Sequence, residues 1–266
     1  MREITDQELK LDMLEIMDVI HNFCVKQNIK YSLAYGTLLG AIRHNGYIPW
    51  DDNLDIIMFR EDYEKFKLGF NQIKGCPFKL IDNEIDPGYI NLAPKVIDTR
   101  TTMVDGIENS EKMGVWVDIF VIDYLKDDYS VSEKMMNKSL FYNLTIRSHY
   151  MSKTSKRPLH QRIIFGMMCF MEHFINREKV LKKIQNQFTN KNYQNYCGVI
   201  VQNFPSKKDV WETEWFDSYE LHTFEDREYY IVQAYDALLR KNYNEYWVLP
   251  KEEQRVTHHS AKLYWK

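Results

Sequence analysis

The sequence contains few cysteines. Its four thiols, at Cys24, Cys76, Cys169 and Cys197, are scattered along 266 residues. They form no CxxC pair and no Cys/His spacing of the kind that binds zinc, which argues against a structural zinc site. Free thiols are usual in a reducing compartment, so we expect a cytoplasmic protein.

Long apolar runs are also lacking. No stretch reaches the roughly 18 apolar residues that a membrane-spanning helix needs, and the N-terminus has no apolar segment of the signal-peptide type. The longest apolar run, IIFGMMCFM at 163–171, is too short to cross a bilayer but fits a protein core or a membrane surface. Peripheral contact with the inner surface of the membrane therefore stays open.

Positive charge is not in excess, because the net charge is −3 and the pI is about 6.3. A general nucleic-acid-binding protein needs a basic surface, so we predict no nucleic-acid partner. Aromatic residues, in contrast, make up 14% of the chain. They are numerous enough to build an aromatic cage for a cationic ligand, although most of the rings must belong to the core.

The stretch YGTLLGAIRHNGYIPWDDNLD, residues 35–55, concentrates residues that suit phosphate chemistry. Gly36 and Thr37 form a small-residue turn that lets the backbone approach a ligand. A helix predicted over 38–43 places the N–H groups after Gly36 at a helix N-terminus, where phosphate binds favourably. Arg43 follows, and its guanidinium either donates paired hydrogen bonds to phosphate oxygens or caps the end of the helix.

Acidic residues end this stretch. Asp51, Asp52, Asn53 and Asp55 run directly into an apolar segment, Ile56-Ile57-Met58. Side chains alternate along a strand, so Asp51, Asn53 and Asp55 would share one face and Asp52 would take the other. Two interpretations stay open: the oxygen atoms bind a divalent cation, or they form a solvated acidic turn at the start of a strand.

The segment GTLLGAIRHNGYIPWDDNLDI closely resembles the signature of the LicD family, phosphotransferases with a nucleotidyltransferase-like fold. In that family the Gly-Thr pair opens the nucleotide-phosphate site, and the alternating aspartates after IPW hold a divalent ion. The resemblance therefore implies a Mg²⁺ or Mn²⁺ site. One position departs from the family run DDDID: Asn53 stands in place of its third acid, so the site must find its negative charge elsewhere.

Three further segments extend the resemblance. Asp118 lies in the apolar run WVDIFVI and matches a family DIF-x-x-D element that supplies another carboxylate; the alternative is an edge-strand side chain in water. Lys95 lies in a segment similar to the family's KI-x-D-x-x-T, which implies a phosphate or acceptor contact; the alternative is a lysine on the surface of a strand. YNEYWVLPKEEQR at 243–255 resembles a C-terminal family segment, with Asn244 in the position of a glycine. Asparagine tolerates the left-handed conformation, so a turn can form there.

The predicted site thus has two parts. The acidic part, with both catalytic and metal-binding roles, contains Asp51, Asp55 and Asp118, and Asn53 joins it as a neutral metal partner. The part that binds the donor diphosphate contains Gly36, Thr37, Arg43 and Lys95.

The predicted fold is mixed α/β, with a nucleotidyltransferase-like core sheet, flanking helices and a mostly helical insert. We expect a catalytic core over 1–128, a mainly helical subdomain over 129–200, and a C-terminal segment over 201–266 that packs back on the core. A capping box of Thr5 and Glu8 predicts the start of the first helix, which should end near 27–28. Hydrophobic patterning and turn residues predict strands at 31–35, 55–59, 78–82, 92–98, 116–122, 211–216 and 229–231, and helices at 61–68, 142–153, 161–176, 177–188 and 233–241.

The resemblance implies transfer of phosphocholine, or a related phospho-substituent, from a CDP-linked donor such as CDP-choline. The acceptor would be a sugar hydroxyl of a cell-surface oligosaccharide or glycolipid. Two alternatives remain: a nucleotidyltransferase that attacks a nucleoside triphosphate, and a non-catalytic binding protein that keeps the fold but has lost the metal through Asn53.

Overall fold

The protein is described by a computed structural model. It covers residues 1–86, 89, 91–104, 113–125, 133–134, 136–137, 140–141, 159–174, 179, 195–200, 206–255 and 262–266. Helices and several sheets alternate over these residues, which confirms the mixed α/β class.

The helices in the described part of the chain are α1 (Asp6–Gln27), α2 (Tyr35–His44), α3 (Arg60–Gly69), α4 (Leu159–Glu172) and α5 (Tyr235–Tyr243). The strands are β1 (Arg2–Glu3), β2 (Ser32–Leu33), β3 (Asp55–Phe59), β4 (Phe78–Ile81), β5 (Lys95–Asp98), β6 (Thr101–Val104), β7 (Trp116–Leu125), β8 (Tyr196–Gly198), β9 (Val210–Glu212), β10 (Tyr219–Phe224), β11 (Arg227–Val232) and β12 (Lys262–Trp265). None of the described helices is long and apolar enough to cross a membrane.

The chain forms two compact units. The first contains Met1–Ile81, Pro94–Ile122 and Thr213–Lys266, and the second contains Asp82–Ala93 and Asp123–Glu212. The predicted division at 128 and 200 stays a prediction, as do the cytoplasmic location and the membrane contact. The predicted helices 142–153 and 177–188 fall almost wholly outside the described residues.

The central sheet of the first unit has the strand order β2-β3-β7-β5-β4. Strand β3 runs parallel to β7, and the other neighbours in this order are antiparallel. The register pairs Asp118 of β7 with Asp55 on one side and with Lys95 on the other. Three predicted site residues therefore lie side by side on adjacent strands.

A second sheet of the first unit joins the two ends of the chain. Its order is β1-β12-β6, with antiparallel pairing throughout. A separate hairpin is formed by β10 and β11. In the second unit, residues 123–125 of β7 pair with β8, which in turn pairs with β9.

Helix α1 begins at the predicted capping box. The Glu8 N–H donates to Thr5 Oγ1 at 3.3 Å, and the Thr5 N–H donates back to the Glu8 carboxylate at 3.0 Å. The helix ends at Gln27 because Asn28 adopts the left-handed conformation. The inner face of α1 contains Met13, Met17, Ile20 and Cys24, which recur at helical spacing and are all buried, whereas Leu9 is half-buried.

Several predicted boundaries are wrong. Helix α2 starts three residues earlier than predicted, at Tyr35. Strand β3 has the predicted bounds, Asp55–Phe59, but residues 51–54, for which strand-like alternation of side chains is predicted, are not part of a strand. The segment predicted as a strand at 211–216 is split: β9 ends at Glu212, and a 3-10 turn spans Thr213–Phe216. In that turn the aromatic side chains gave a strand-like pattern, but Phe216 packs edge-on against Phe59 at 5.6 Å between ring centroids.

Asn244 has φ 58° and ψ −115°, a backbone region that glycine occupies far more readily than any other residue. The expected positive φ is confirmed. Because this conformation strains asparagine, we expect Asn244→Gly to raise the free energy of unfolding by about 1 kcal/mol, measured by urea titration. Asn28→Gly is the matched control: at φ 52° and ψ 46° asparagine is well tolerated, so little change is expected. Equal effects at both positions would contradict the strain at Asn244.

Candidate active site

The N-terminus of α2 lies beside the central sheet. Tyr35, its first residue, has φ 47°, which is unusual for a bulky side chain, and its ring packs edge-on against Phe120 of β7 at 4.7 Å. The first intrahelical hydrogen bond runs from Leu38 N–H to the Ala34 carbonyl. The N–H groups of the first turn therefore point out of the helix, a geometry that favours an anion.

Thr37 ties this first turn to the start of β3. The Asp55 N–H donates to Thr37 Oγ1 at 2.8 Å, and Thr37 is buried. The Thr37 hydroxyl, which is predicted to contact phosphate, thus also accepts the hydrogen bond that fixes the position of Asp55. Its own proton remains available for donation, since a hydroxyl both donates and accepts.

Gly36 makes room for Asp51. A Cβ atom at residue 36 would stand 2.6 Å from Asp51 Oδ2, much closer than real Cβ contacts allow. Asp51 is held by its own N–H, which donates to the Ile48 carbonyl at 2.8 Å, and its Oδ1 accepts from the Asp52 N–H at 3.1 Å. The loop 51–54 thereby brings one carboxylate against the helix N-terminus.

Asp118 is the centre of the acidic part. As register partners on adjacent strands, Asp118 and Asp55 have backbones about 4.8 Å apart. Lys95 Nζ forms a short ion pair with Asp118 Oδ1, and Trp116 Nε1 donates to Oδ2 at 2.9 Å. The Lys95 ammonium also lies 4.6 Å from the centre of the Trp116 ring. Asp118 is therefore fixed on both of its oxygens.

Asp55 is buried and accepts a hydrogen bond from Asn53 Nδ2 at 2.9 Å. Burial, followed by repulsion from Asp118 and Asp51, raises the pKa of Asp55 well above its usual value, while Lys95 and the Asn53 hydrogen bond act in the opposite direction. Three carboxylates are therefore close enough to repel one another, and the cation fixed among them is Lys95. The predicted proximity of Asp51, Asn53 and Asp55 exists, although a loop rather than a strand produces it.

The donor set suits a hard divalent cation. Asp51, Asp55 and Asp118 offer only oxygen ligands, and their charge exceeds that of Lys95. Among the described residues, however, no three Asp, Glu, His or Cys side chains are already arranged around one point as metal ligands are. Asp118 faces Lys95 and Trp116, so a divalent ion would have to share that carboxylate with them. The chemistry of the residues fits a metal; the present rotamers do not enclose one.

Arg43 lies apart from the start of α2, where two of the other residues predicted to bind the donor diphosphate, Gly36 and Thr37, are found. It lies in the last turn of α2, about 10 Å along the helix axis from Gly36. Its Nη1 donates to the Tyr246 carbonyl at 2.6 Å, and burial lowers its pKa. The observed contact anchors the C-terminal segment, and the role of Arg43 at phosphate stays a prediction.

A second acidic cluster lies at the other end of β5. Asp12 and Asp98 are both buried, and Arg100 bonds to each, with Nε 2.8 Å from Asp98 Oδ2 and Nη2 3.1 Å from Asp12 Oδ1. Burial and then Asp98 raise the pKa of Asp12 to about 8, and Arg100 opposes this shift. The predicted segment from Lys95 to Thr101 thus belongs to the active site only at its first residue.

Sequence reasoning missed Trp116 as a site residue. It begins the apolar run that contains Asp118, and period-two alternation places it on the same face as Asp118. That spacing is visible in the sequence, but a large aromatic ring in an apolar run is more typical of the core than of an active site. The close approach of Gly36 to Asp51 left no sequence signal beyond the glycine itself.

A helix N-terminus facing carboxylates on adjacent strands is the layout of a site for phosphate-containing substrates. Residues 28–171, more than half of the chain, match the family described as LicD/FKTN/FKRP, nucleotidyltransferase domain. The chain therefore belongs to the LicD family.

Relatives of known sequence agree with this assignment. The chain is 28% identical over 268 aligned residues to the lipopolysaccharide cholinephosphotransferase LicD of Haemophilus influenzae, and the match covers 99% of both proteins. An uncharacterised protein of Rickettsia typhi is 41% identical over 88 residues, 33% of this chain and 28% of its own length. Another from Rickettsia prowazekii is 50% identical over 52 residues, 20% of each chain.

Replacing Gly36 tests the close approach of Asp51. Because an alanine Cβ would displace Asp51 Oδ2, we expect Gly36→Ala to weaken Mg²⁺ binding at least about tenfold by calorimetry. Gly166→Ala is the control, since Gly166 also lies in a helix but nothing comes within 4 Å of its added Cβ. Unchanged Mg²⁺ affinity in Gly36→Ala, with measurable binding in the wild type, would remove Asp51 from the metal site.

The cluster around Asp12 predicts a pH dependence of stability. The folded pKa of about 8 exceeds the ordinary 3.8, so the folded state holds a proton that the unfolded state releases, and stability falls as pH rises between these values. Asp12→Asn cannot ionise, so its free energy of unfolding should vary less between pH 5 and pH 8 in urea titrations. Asp217→Asn, at an exposed position, is the control and should keep the wild-type slope. The same slope in Asp12→Asn as in the wild type would refute this origin.

Proposed function

We propose that this LicD-like phosphotransferase moves phosphocholine from a CDP-linked donor such as CDP-choline to a hydroxyl of a lipopolysaccharide-type glycan. The observation that carries the proposal is the pairing of Asp55 with Asp118 on adjacent parallel strands, with Asp51 beside the α2 N-terminus. The full-length similarity to a lipopolysaccharide cholinephosphotransferase supports both the choline and the glycan.

Positioning and charge neutralisation dominate the chemistry of phosphoryl transfer, and different residues of the chain supply each of them. The first turn of α2 presents N–H groups to the donor diphosphate, and Lys95 places an ammonium group beside Asp118. The hydrogen bond from Trp116 holds Asp118 in orientation. In the reaction, the oxygen of the acceptor hydroxyl bonds to the phosphorus next to choline, and the bond from that phosphorus to the bridging oxygen breaks. CMP leaves with the bridging oxygen, and the proton of the hydroxyl is released to solvent or to the leaving phosphate.

Asp51, Asp55 and Asp118 would hold Mg²⁺ or Mn²⁺, with Asn53 as a neutral partner through its amide oxygen. When bound, such an ion supplies positive charge at the transferring phosphoryl group. The burial of Asp55 and its repulsion by two other carboxylates favour this arrangement, since a cation relieves both costs.

The product of the reaction separates the alternatives. With CDP-choline, Mg²⁺ and a lipopolysaccharide oligosaccharide, the proposal requires CMP release and equal incorporation of phosphocholine, both measurable by liquid chromatography and mass spectrometry. Release of pyrophosphate from a nucleoside triphosphate would identify a nucleotidyltransferase instead. Binding of donor without turnover under any of these conditions would identify a binding protein.

The acidic residues should differ sharply in importance. Asp55→Ala should lower turnover at least about 100-fold, comparable to loss of one strong electrostatic element of an active site. Asp52→Ala, one position from Asp51, should lower turnover much less, because the largest causes that raise the pKa of Asp55 are burial, Asp118 and Asp51 rather than Asp52. Asn53→Asp should remain active. Steady-state kinetics of CMP release checks all three, and an essential Asp52 beside a dispensable Asp55 would contradict the assignment.

A further inference from the structure

A small cavity opens next to the acidic residues in the first unit. Its volume is about 220 Å³, and its lining includes Asp51, Asp52 and Trp116. The remaining walls come from β1, Ile4, the first turns of α1, Pro49 and β12. Pockets that hold a whole drug-sized ligand occupy roughly 300–1,000 Å³, so this cavity suits one end of a substrate rather than a complete CDP-linked donor.

The lining is negatively charged. Four carboxylates, from Glu3, Asp6, Asp51 and Asp52, meet two ammonium groups, from Lys10 and Lys262. Among these side chains the carboxylates outnumber the ammonium groups by two, and by one when Asp51 is assigned to the metal ion. Such a cavity repels phosphate and attracts a cation.

Both lysines are also engaged with other groups. Lys262 Nζ lies 3.1 Å from Glu3 Oε1, and Lys10 Nζ lies 5.0 Å from the centre of the Tyr47 ring. The charge of Lys262 is thus paired with Glu3, and Asp6 is a further carboxylate of the lining.

The same cavity is partly apolar. Leu9, Met13 and Trp116 contribute hydrocarbon and aromatic surface to its walls. A strongly hydrated ion gains little from such surface, whereas a quaternary ammonium group carries its charge under methyl groups and is attracted to both carboxylates and aromatic rings. The chemistry of the lining thus favours an apolar cation.

We propose that this cavity binds the trimethylammonium end of the donor, and so selects choline as the transferred group; this rests on the phosphocholine transfer proposed above. Asp51 and Trp116 belong to both the cavity and the acidic site. The two-carbon spacer of choline then keeps the phosphorus close to Asp55 and Asp118 while the ammonium lies in the cavity. The acceptor sugar must approach from elsewhere.

Asp6 is the residue with which to test this. It is exposed in the first turn of α1, it lines the cavity, and it is not one of the residues assigned to the acidic site. Asp6→Asn removes one negative charge, and Asp6→Lys reverses it. We expect the KM for CDP-choline to rise from the wild type to Asp6→Asn and further to Asp6→Lys. The rise for Asp6→Lys should be roughly five- to tenfold, with the larger effect at low salt.

Inhibition by CMP provides the internal comparison, since CMP lacks choline. Its inhibition constant should stay unchanged in both variants. Glu228→Lys is the matched control: it makes the same charge reversal at an exposed position of β11 outside the cavity, and its KM for CDP-choline should equal the wild-type value. Thermal unfolding of each variant checks that α1 remains folded.

The outcomes separate the two proposals. If the wild type transfers phosphocholine but the variants change the KM of the acceptor and not that of CDP-choline, the cavity is an acceptor site and this inference is wrong. Equal KM values for CDP-choline in all variants would overturn it as well. If the wild type transfers no phosphocholine at all, the proposed function itself fails, and the inference with it.

Discussion

The mutual burial of Asp55 and Asp118 on adjacent parallel strands is the constraint around which the site is arranged. Two carboxylates in this position oppose folding, because desolvation and like-charge repulsion both penalise their ionised forms. A protein that only needed a stable sheet would place apolar residues there, as it does at Ile56 and Ile119 one position further along the same pair of strands. Asp55 and Asp118 thus lower the stability of the protein, and their presence is explained by function.

The surrounding residues reduce this destabilisation without removing it. Lys95 comes from the strand on the far side of β7 and neutralises one charge, while Trp116 and Asn53 each donate a hydrogen bond to one of the two acids. Thr37 fixes the backbone of Asp55 from the opposite direction. Each of these contacts orients an oxygen atom, so the features that make the acids tolerable also hold them in place for chemistry.

Local signals in the sequence predicted local structure well. The capping box and Asn28 define both ends of α1, and the apolar run after Asp55 predicted β3 with its exact bounds. The proximity of Asp51 to Asp55 was predicted for the wrong reason. Strand-like alternation from residue 51 predicts this proximity, whereas in the structure a loop closes against Gly36 and brings Asp51 close to Asp55. Spacing predicts which side chains are near each other more reliably than it predicts the backbone that brings them together.

Contacts between distant parts of the chain were beyond the reach of sequence patterns. Arg43 resembled a phosphate ligand by its chemistry and its position in the motif, but its guanidinium bonds to a carbonyl 203 residues away. No periodicity encodes such a partner. The resemblance to LicD proteins placed both segments in one family pattern without showing that they touch.

The second sheet also depends on contacts between distant parts of the chain. Strand β1 pairs with β12, so Glu3 and Lys262 meet from the two ends of the chain and help to form a wall beside the acidic residues. The carboxylates that suit phosphoryl transfer come from the central sheet and its adjoining loop, whereas this wall comes from separate elements. Under the proposal that this cavity selects the transferred group, substitutions in β1, β12 or the start of α1 would change which group fits there, whereas the contacts of Asp118 with Lys95 and Trp116 come from the central sheet. The two regions are nevertheless linked, because Asp51 and Trp116 contribute both to this cavity and to the acidic site, where Trp116 donates a hydrogen bond to Asp118.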